Sequence, residues 1–373
     1  MLPVDRLEEG RRVMTVCNAC RYCEGFCPVF PAMEHRVSFA DGDLMYLANL
    51  CHNCGECLYA CQYAPPHEFA INVPQTLARI RLESYEACCW PRFARAAFRH
   101  QPLLTTLVLA AGFAAILLVA RSEAPGSTPD GDFYRIVPHH VMVALFGSVS
   151  ALALVALAVG CRRFWRDVRA AAASVSFARE ASRQRLSGSV LVEALRDVLT
   201  LRHLHGGGVD CAAAPEARTP WRRWFHHATF YGFALCFAST SVAALYHLLG
   251  WRAPYPYTSL PVLLGTLGGA GLLLGPVGLL TIRATRDASL GDSAQEALDS
   301  SFAILLLLTS VTGLLLLVWR SRPAMATLLI VHLSLVLALF LSLPYGKFVH
   351  GIYRGAALVR FGIEERRLQP RRR

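Results

Sequence analysis

The chain has 373 residues, 54% of them hydrophobic and only 17% charged, with a formal net charge of +11. So little charge at this length excludes an ordinary soluble globular protein. The positive excess raises nucleic acid as a partner, but it collects in a few connecting segments, which argues against that class.

Residues 1–80 are mixed and polar and carry one cysteine pattern twice. Cys17, Cys20, Cys23 and Cys27 are spaced x2, x2, x3, and Pro28 follows; Cys51, Cys54, Cys57 and Cys61 repeat the spacing, with Gln62 in the place of the proline. Three thiolates at x2 intervals reach three irons of a cubane, and the fourth cysteine of each run serves the other cluster in two-cluster ferredoxins. The expected sets are Cys17, Cys20, Cys23 and Cys61 for one [4Fe–4S] cluster, and Cys51, Cys54, Cys57 and Cys27 for the second. Zinc favours two separated ligand pairs, and disulfides need an oxidising compartment, for which no signal peptide ahead of Cys17 provides. Cys88, Cys89, Cys161, Cys211 and Cys236 lack ligand spacing and read as buried or interfacial thiols. Phe39–Leu50 has helical periodicity and no β-branched run, so the cluster domain is predicted to be helical. Pro65, Pro66 and Pro74 punctuate its end, and residues 81–100, with Trp90, Phe93 and Phe98, read as an interfacial linker.

Six apolar stretches follow, each near the roughly 20 residues that cross a hydrocarbon core. They are Leu103–Ala120, Val137–Gly160, Thr229–Leu249, Leu260–Ile282, Phe302–Trp319 and Met325–Leu343. Residues 101–160 hold the first two spans and 226–350 the other four. The connection 161–225 holds twelve arginines between Arg162 and Arg223, and the tail 351–373 ends in Arg371, Arg372 and Arg373. Positive residues accumulate on the cytoplasmic side, so both termini and the basic connection are expected inside, in a bacterial inner membrane. Within the connection, 162–203 reads as one or two amphipathic helices, solvated or touching the cluster domain or anionic lipid, broken at Gly206–Gly208. In the fourth span Gly265, Gly268, Gly269, Gly271, Gly275 and Gly278 let helices approach closely, or leave room for a flat cofactor.

Histidines at membrane depth are costly and functional as a rule. The third span opens with His226 and His227 and closes with His247. The sixth holds His332, with His350 eighteen residues on, roughly 27 Å along a continuing helix. Antiparallel spans then pair His227 with His350 near the inner face and His247 with His332 near the outer face. That is the layout for one or two bis-histidine b haems, with His226, His139 and His140 in reserve. No Cys-x-x-Cys-His motif occurs, which excludes covalent c-type attachment by that signal. His52, His67, His203 and His205 read as structural or solvated. The expected architecture is all-α: a two-cluster ferredoxin domain followed by a six-helix cytochrome b-like bundle in the lipid bilayer.

The segment His226–Phe233, the run Leu245-Tyr246-His247, the turn Ala253–Tyr257 and the run Pro344–Arg354 resemble the tricarballylate- or citrate-utilisation protein B family. The chain also resembles the C-terminal part of a flavohaem enzyme of cobalamin synthesis, and its histidine layout that of the cytochrome b subunit of nitrate reductases. The resemblance implies two [4Fe–4S] clusters and b haem, with FAD only on a partner, a cytoplasmic FAD-dependent dehydrogenase that oxidises tricarballylate. It further implies delivery of electrons to membrane quinone. No acid–base or nucleophilic constellation stands out and no G-x-G-x-x-G occurs, which agrees with a partner performing the hydride chemistry. Alternatives are the haem and iron–sulfur module of a cobalamin-pathway oxygenase, an anchor whose metals are structural only, and an anchor for a heterodisulfide- or nitrate-reductase-like complex.

Overall fold

A computed structural model describes residues 4–122, 133–173, 188–204 and 220–368. Among these residues every regular element is a helix. The N-terminal part comprises α1 (Val4–Cys20), α2 (Val29–Glu34), α3 (Asp41–Leu50), the short α4 (Glu56–Tyr59) and α5 (Val73–Cys88). Helix α3 is buried along nearly its whole length and forms the hub. Asp43 closes its first turn by accepting the Ala40 N–H at 3.1 Å. Helix α5 starts where the Asn72 side chain accepts the Gln75 N–H at 3.1 Å, with Pro74 in the first turn, where its missing N–H costs nothing. The expected domain boundary at residue 80 falls inside this helix. Of the linker's aromatics, Phe98 is buried and Phe93 stands exposed.

The spanning helices are α6 (Gln101–Ser122), α7 (His139–Ala173), α9 (Trp221–Leu248), α10 (Leu260–Ala284), α11 (Ser293–Val318) and α12 (Met325–Ser342), with α8 (Gly188–Thr200) lying between α7 and α9. Six candidate spans, the last continuing from α12 into α13 (Val349–Leu368), are long and apolar enough to cross a membrane. Their outward faces carry exposed leucines such as Leu103, Leu154, Leu267 and Leu274, the surface that lipid would solvate. Inward, Leu272, Leu305, Leu306, Leu335, Ala338 and Leu339 close one core layer of the bundle.

Three expectations change. Helix α7 does not end at Gly160 but runs 35 residues, roughly 52 Å. Its extension buries Phe164 and Val168 against the N-terminal domain, so the basic connection begins as part of the core rather than as a solvated face. The tail is likewise helical: α13 packs on α3 and α8, and Tyr353, Ala357 and Leu358 join the same core. Finally, His332 and His350 do not share a continuous α-helix. Pro344 supplies no N–H and Gly346 is extended (φ −131°), so the chain breaks between α12 and α13. The expected break at Gly206–Gly208, together with Cys211, His205 and the final arginines, lies outside the described residues.

The glycines of α10 serve close packing. A Cβ on Gly268 would lie 2.8 Å from the Cys236 nitrogen and 2.8 Å from the Gly232 oxygen; one on Gly275 would lie 2.6 Å from the Thr229 nitrogen. The backbone of α9 fills the space, and no slot for a flat cofactor remains there. Gly268→Val is therefore expected to force α9 and α10 apart and destabilise the bundle by about 1–3 kcal/mol. A thermal midpoint in detergent equal to that of the unaltered protein would contradict this packing.

A buried charge network ties the two ends of the chain together. Arg36 donates to Asp43 at 2.6 Å and to Glu364 at 2.9 Å, Arg360 donates to Glu364 at 2.9 Å, and the Tyr46 hydroxyl donates to Glu364 at 3.1 Å. All five side chains are at most 6% exposed.

Candidate metal and cofactor site

The first cysteine run begins in the last turns of α1, which hold Cys17 and Cys20, and the second places Cys57 in α4; between these helical positions the chain turns through left-handed backbone. Arg21 (φ 57°) sits between Cys20 and Cys23, and Asn53 (φ 54°) and Gly55 (φ 90°) flank Cys54. Only glycine enters that region without cost, and Gly55 has no room for a Cβ, which would meet Leu290 at 2.9 Å. The Asn53 N–H donates to the Cys51 sulfur at 3.3 Å.

The sulfurs gather in two groups. Burial pushes the Cys17 thiol up to about 12, and Cys61, Cys23 and Cys20 reinforce it. Burial raises Cys27 and Cys57 as well, and both are reinforced most by Cys54 and Cys51 and less by Cys23. One cavity is lined by Cys17, Cys20, Cys23 and Cys61, the other by Cys27, Cys51 and Cys54, and Cys57 lines both. The crossing of Cys27 and Cys61 between runs is thus what the geometry brings together, with Gln62 on the rim of the first cavity. Among the described residues no three donors converge closely enough for a single metal ion. Four soft sulfurs around a larger space instead fit a polynuclear iron–sulfur cluster. The thiolate is the form that ligates iron, so cluster loading displaces protons.

The loop ahead of Cys54 is gripped by four guanidinium groups. Arg81 donates to the carbonyls of Ala48 (2.7 Å) and Cys51 (2.8 Å). Arg222 donates to His52 (2.8 Å) and Asn53 (3.2 Å). Arg354 donates to Asn49 (3.3 Å), Leu50 (3.1 Å) and Cys51, and Arg286 to Asn53. The cysteine domain therefore sits on the bundle end where α9 starts and α12 finishes. Sequence reasoning missed these arginines, although Arg222 and Arg354 each stand four residues from a singled-out histidine.

Directly beneath, His226 of α9 and His350 of α13 face each other with ring centres 6.1 Å apart. Two imidazoles that share one metal ion, at about 2 Å per metal–nitrogen bond, hold their centres roughly 6 Å apart. His350 Nδ1–H donates to the Lys347 carbonyl at 2.6 Å, which leaves Nε2 with its lone pair, the arrangement of an oriented ligand. His226 Nδ1 is buried without a partner. His227, expected to face His350, instead lies against Tyr231 at 5.7 Å. His52 and His203 form a second ring pair at 6.0 Å, but His203 Nε2 is engaged by Asp197 at 3.3 Å.

The far end is arranged differently. His247 stacks on His139 with centres 3.6 Å apart and planes 25° from parallel, and Tyr134 borders both. Nothing fits between rings so close. His332 lies on α12, its Nδ1 3.0 Å from the Thr312 hydroxyl of α11, with Gly313 leaving space for its ring. The structure does not bring His247 and His332 together, and His140 is exposed.

The fold and the cysteine domain define a helical membrane protein with an iron–sulfur domain of the ferredoxin kind. Residues 10–87 match the citrate utilization protein B Fer4-like domain and residues 94–371 match the citrate utilization protein B model. The chain belongs to the citrate utilization protein B family. It is 50% identical over 364 residues to an Escherichia coli protein described as citrate utilization protein B, covering 96% of this chain and 93% of that one. No solved structure matches the chain.

Proposed function

We propose that the protein is an electron-transfer protein of a bacterial inner membrane, with both termini cytoplasmic, acting in tricarballylate or citrate utilisation. It reoxidises a cytoplasmic FAD-dependent dehydrogenase and delivers the electrons to membrane quinone. Cys17, Cys20, Cys23 and Cys61 hold one [4Fe–4S] cluster, and Cys27, Cys51, Cys54 and Cys57 the other. His226 and His350 hold a b haem. These groups, when bound, supply one-electron redox chemistry, which divides the two electrons of a reduced flavin. The chain's own residues supply spacing, orientation and charge around them.

The observation that carries this reading is adjacency. Two four-sulfur groups, an arginine-gripped loop and a pair of facing imidazoles follow one another from the N-terminal domain into the helix bundle. His247 and His332, apart in this structure, are not offered as a second ligand pair.

Purified protein in detergent is expected to hold about eight non-haem irons per chain, the content of two cubanes. It is also expected to show a low-spin b-haem spectrum unmoved by carbon monoxide, and reoxidation by quinone after reduction by a flavoprotein. Fewer than about six irons rules out two clusters. A carbon monoxide shift would instead support the oxygenase reading.

A further inference from the structure

We propose that the centre held by Cys27, Cys51, Cys54 and Cys57 has the higher reduction potential of the two and passes electrons into the bundle, because uncompensated guanidinium groups close on its loop. The inference rests on the two-cluster reading above and adds a direction to it.

Arg81 is 6% exposed, and Arg222 and Arg354 are half-buried. Among the described residues none of the three has a carboxylate within ion-pair distance; their hydrogen bonds go to neutral backbone carbonyls. Buried cations are normally paired, since desolvating a charge without a counter-ion is expensive. The missing negative charge lies next door. Arg222 acts on Cys54 and Cys51, and Arg354 acts on Cys51. A thiolate-ligated iron–sulfur cluster is anionic and becomes one charge more negative on reduction, so nearby cations favour its reduced form.

No guanidinium group is among the side chains acting most on Cys17 and Cys61 of the first group. The side chains acting on Cys17 and Cys61 are other cysteines. Backbone N–H groups serve both sets, reaching Cys61 from Tyr63 and Ala64, Cys54 from Glu56 and Cys51 from Asn53, so they do not separate the two. Two carboxylates oppose the arginines: Glu56 near Cys54, and Asp299, which acts on Arg222 but is itself paired with Lys347 at 2.7 Å and Arg283 at 3.6 Å.

The asymmetry has a spatial counterpart. The first cavity opens beside Tyr22, which is 67% exposed and accessible to a soluble donor. Arg222 and Arg354 each lie four residues from His226 and His350, so the groups that raise the second potential also fasten its loop to the histidine pair. Each step moves one electron: the first centre is oxidised by one as the second is reduced by one. No proton is needed, because guanidinium remains charged throughout.

The test is an EPR-monitored redox titration of the full-length, iron-loaded protein in detergent, with Cys54→Ser and Cys17→Ser identifying the two signals. The signal altered by Cys54→Ser is expected to appear first as the potential is lowered. Arg222→Gln and Arg354→Gln should each make that centre harder to reduce and leave the other unmoved, with Arg354→Lys restoring it. The reverse order, no shift, or equal shifts of both centres overturns the proposal. If a glutamine variant fails to fold, the order in the unaltered protein and the lysine variant still decide. A full iron content with the wrong order overturns this inference alone. A single centre with half the iron overturns the two-cluster reading with it.

Discussion

Alanine at His226 or at His350 is expected to remove the b-haem absorption proposed for this protein from purified membranes, while alanine at His227 is expected to leave it in place. The contrast follows from helix geometry. Consecutive residues on a helix point about 100° apart, so only one of His226 and His227 can face α13. That residue is His226, with its ring 6.1 Å from His350, whereas His227 turns toward Tyr231. Loss of an oriented ligand should lower haem per chain by about tenfold or more, since even the supporting contacts of such ligands are worth 10–100-fold. The measurement is the dithionite-reduced spectrum normalised to protein, with iron content as a control for folding of the cysteine domain. Haem retained in His226→Ala but lost in His227→Ala would restore the pairing read from the sequence.

The second large effect concerns Glu364. Its replacement by alanine strands Arg36 and Arg360 in the interior, where both are at most 4% exposed. Breaking a buried pair in this way costs about 3–5 kcal/mol, because the remaining charge is neither solvated nor matched. The neighbouring Arg366–Glu193 pair at 3.2 Å is a built-in comparison, with side chains 40% and 52% exposed. Glu193→Ala should cost less than about 1 kcal/mol. Denaturant midpoints in detergent, followed by fluorescence at constant slope, measure both. Equal shifts for the two variants would show that the Glu364 network is solvated rather than interior.

Much of this molecule is legible in its residues, for identifiable reasons. A span of about 20 apolar residues has one solution in lipid, so the six spans and their order could be read directly. Cysteine spacing is a local constraint with few meanings, and the crossed grouping of Cys27 and Cys61 follows from it. What hid was everything set by rotation or by distance along the chain. Whether His226 or His227 faces inward depends on helix phase to within part of a turn, which a boundary read as Thr229 rather than Trp221 does not fix. The stacking of His139 on His247 joins residues 108 apart. Arg36 meets a carboxylate 328 residues later, and no pattern near either residue announces the other. The extension of α7 was hidden by its own arginines, which read as solvated while Phe164 and Val168 between them were buried.

The Arg36–Glu364 contact also bears on how the two parts of the protein depend on each other. The cysteine domain precedes the bundle in the chain, yet its hub takes a charged partner from α13, 328 residues after Arg36. Domains generally fold as units, but the charge network of this hub closes only with Glu364 of α13 in place. Residues 1–100 hold both cysteine runs, but Arg222, Arg286, Arg354 and Glu364, which grip them and their hub, come from later in the chain, so the cysteine domain and the bundle are packed as one unit.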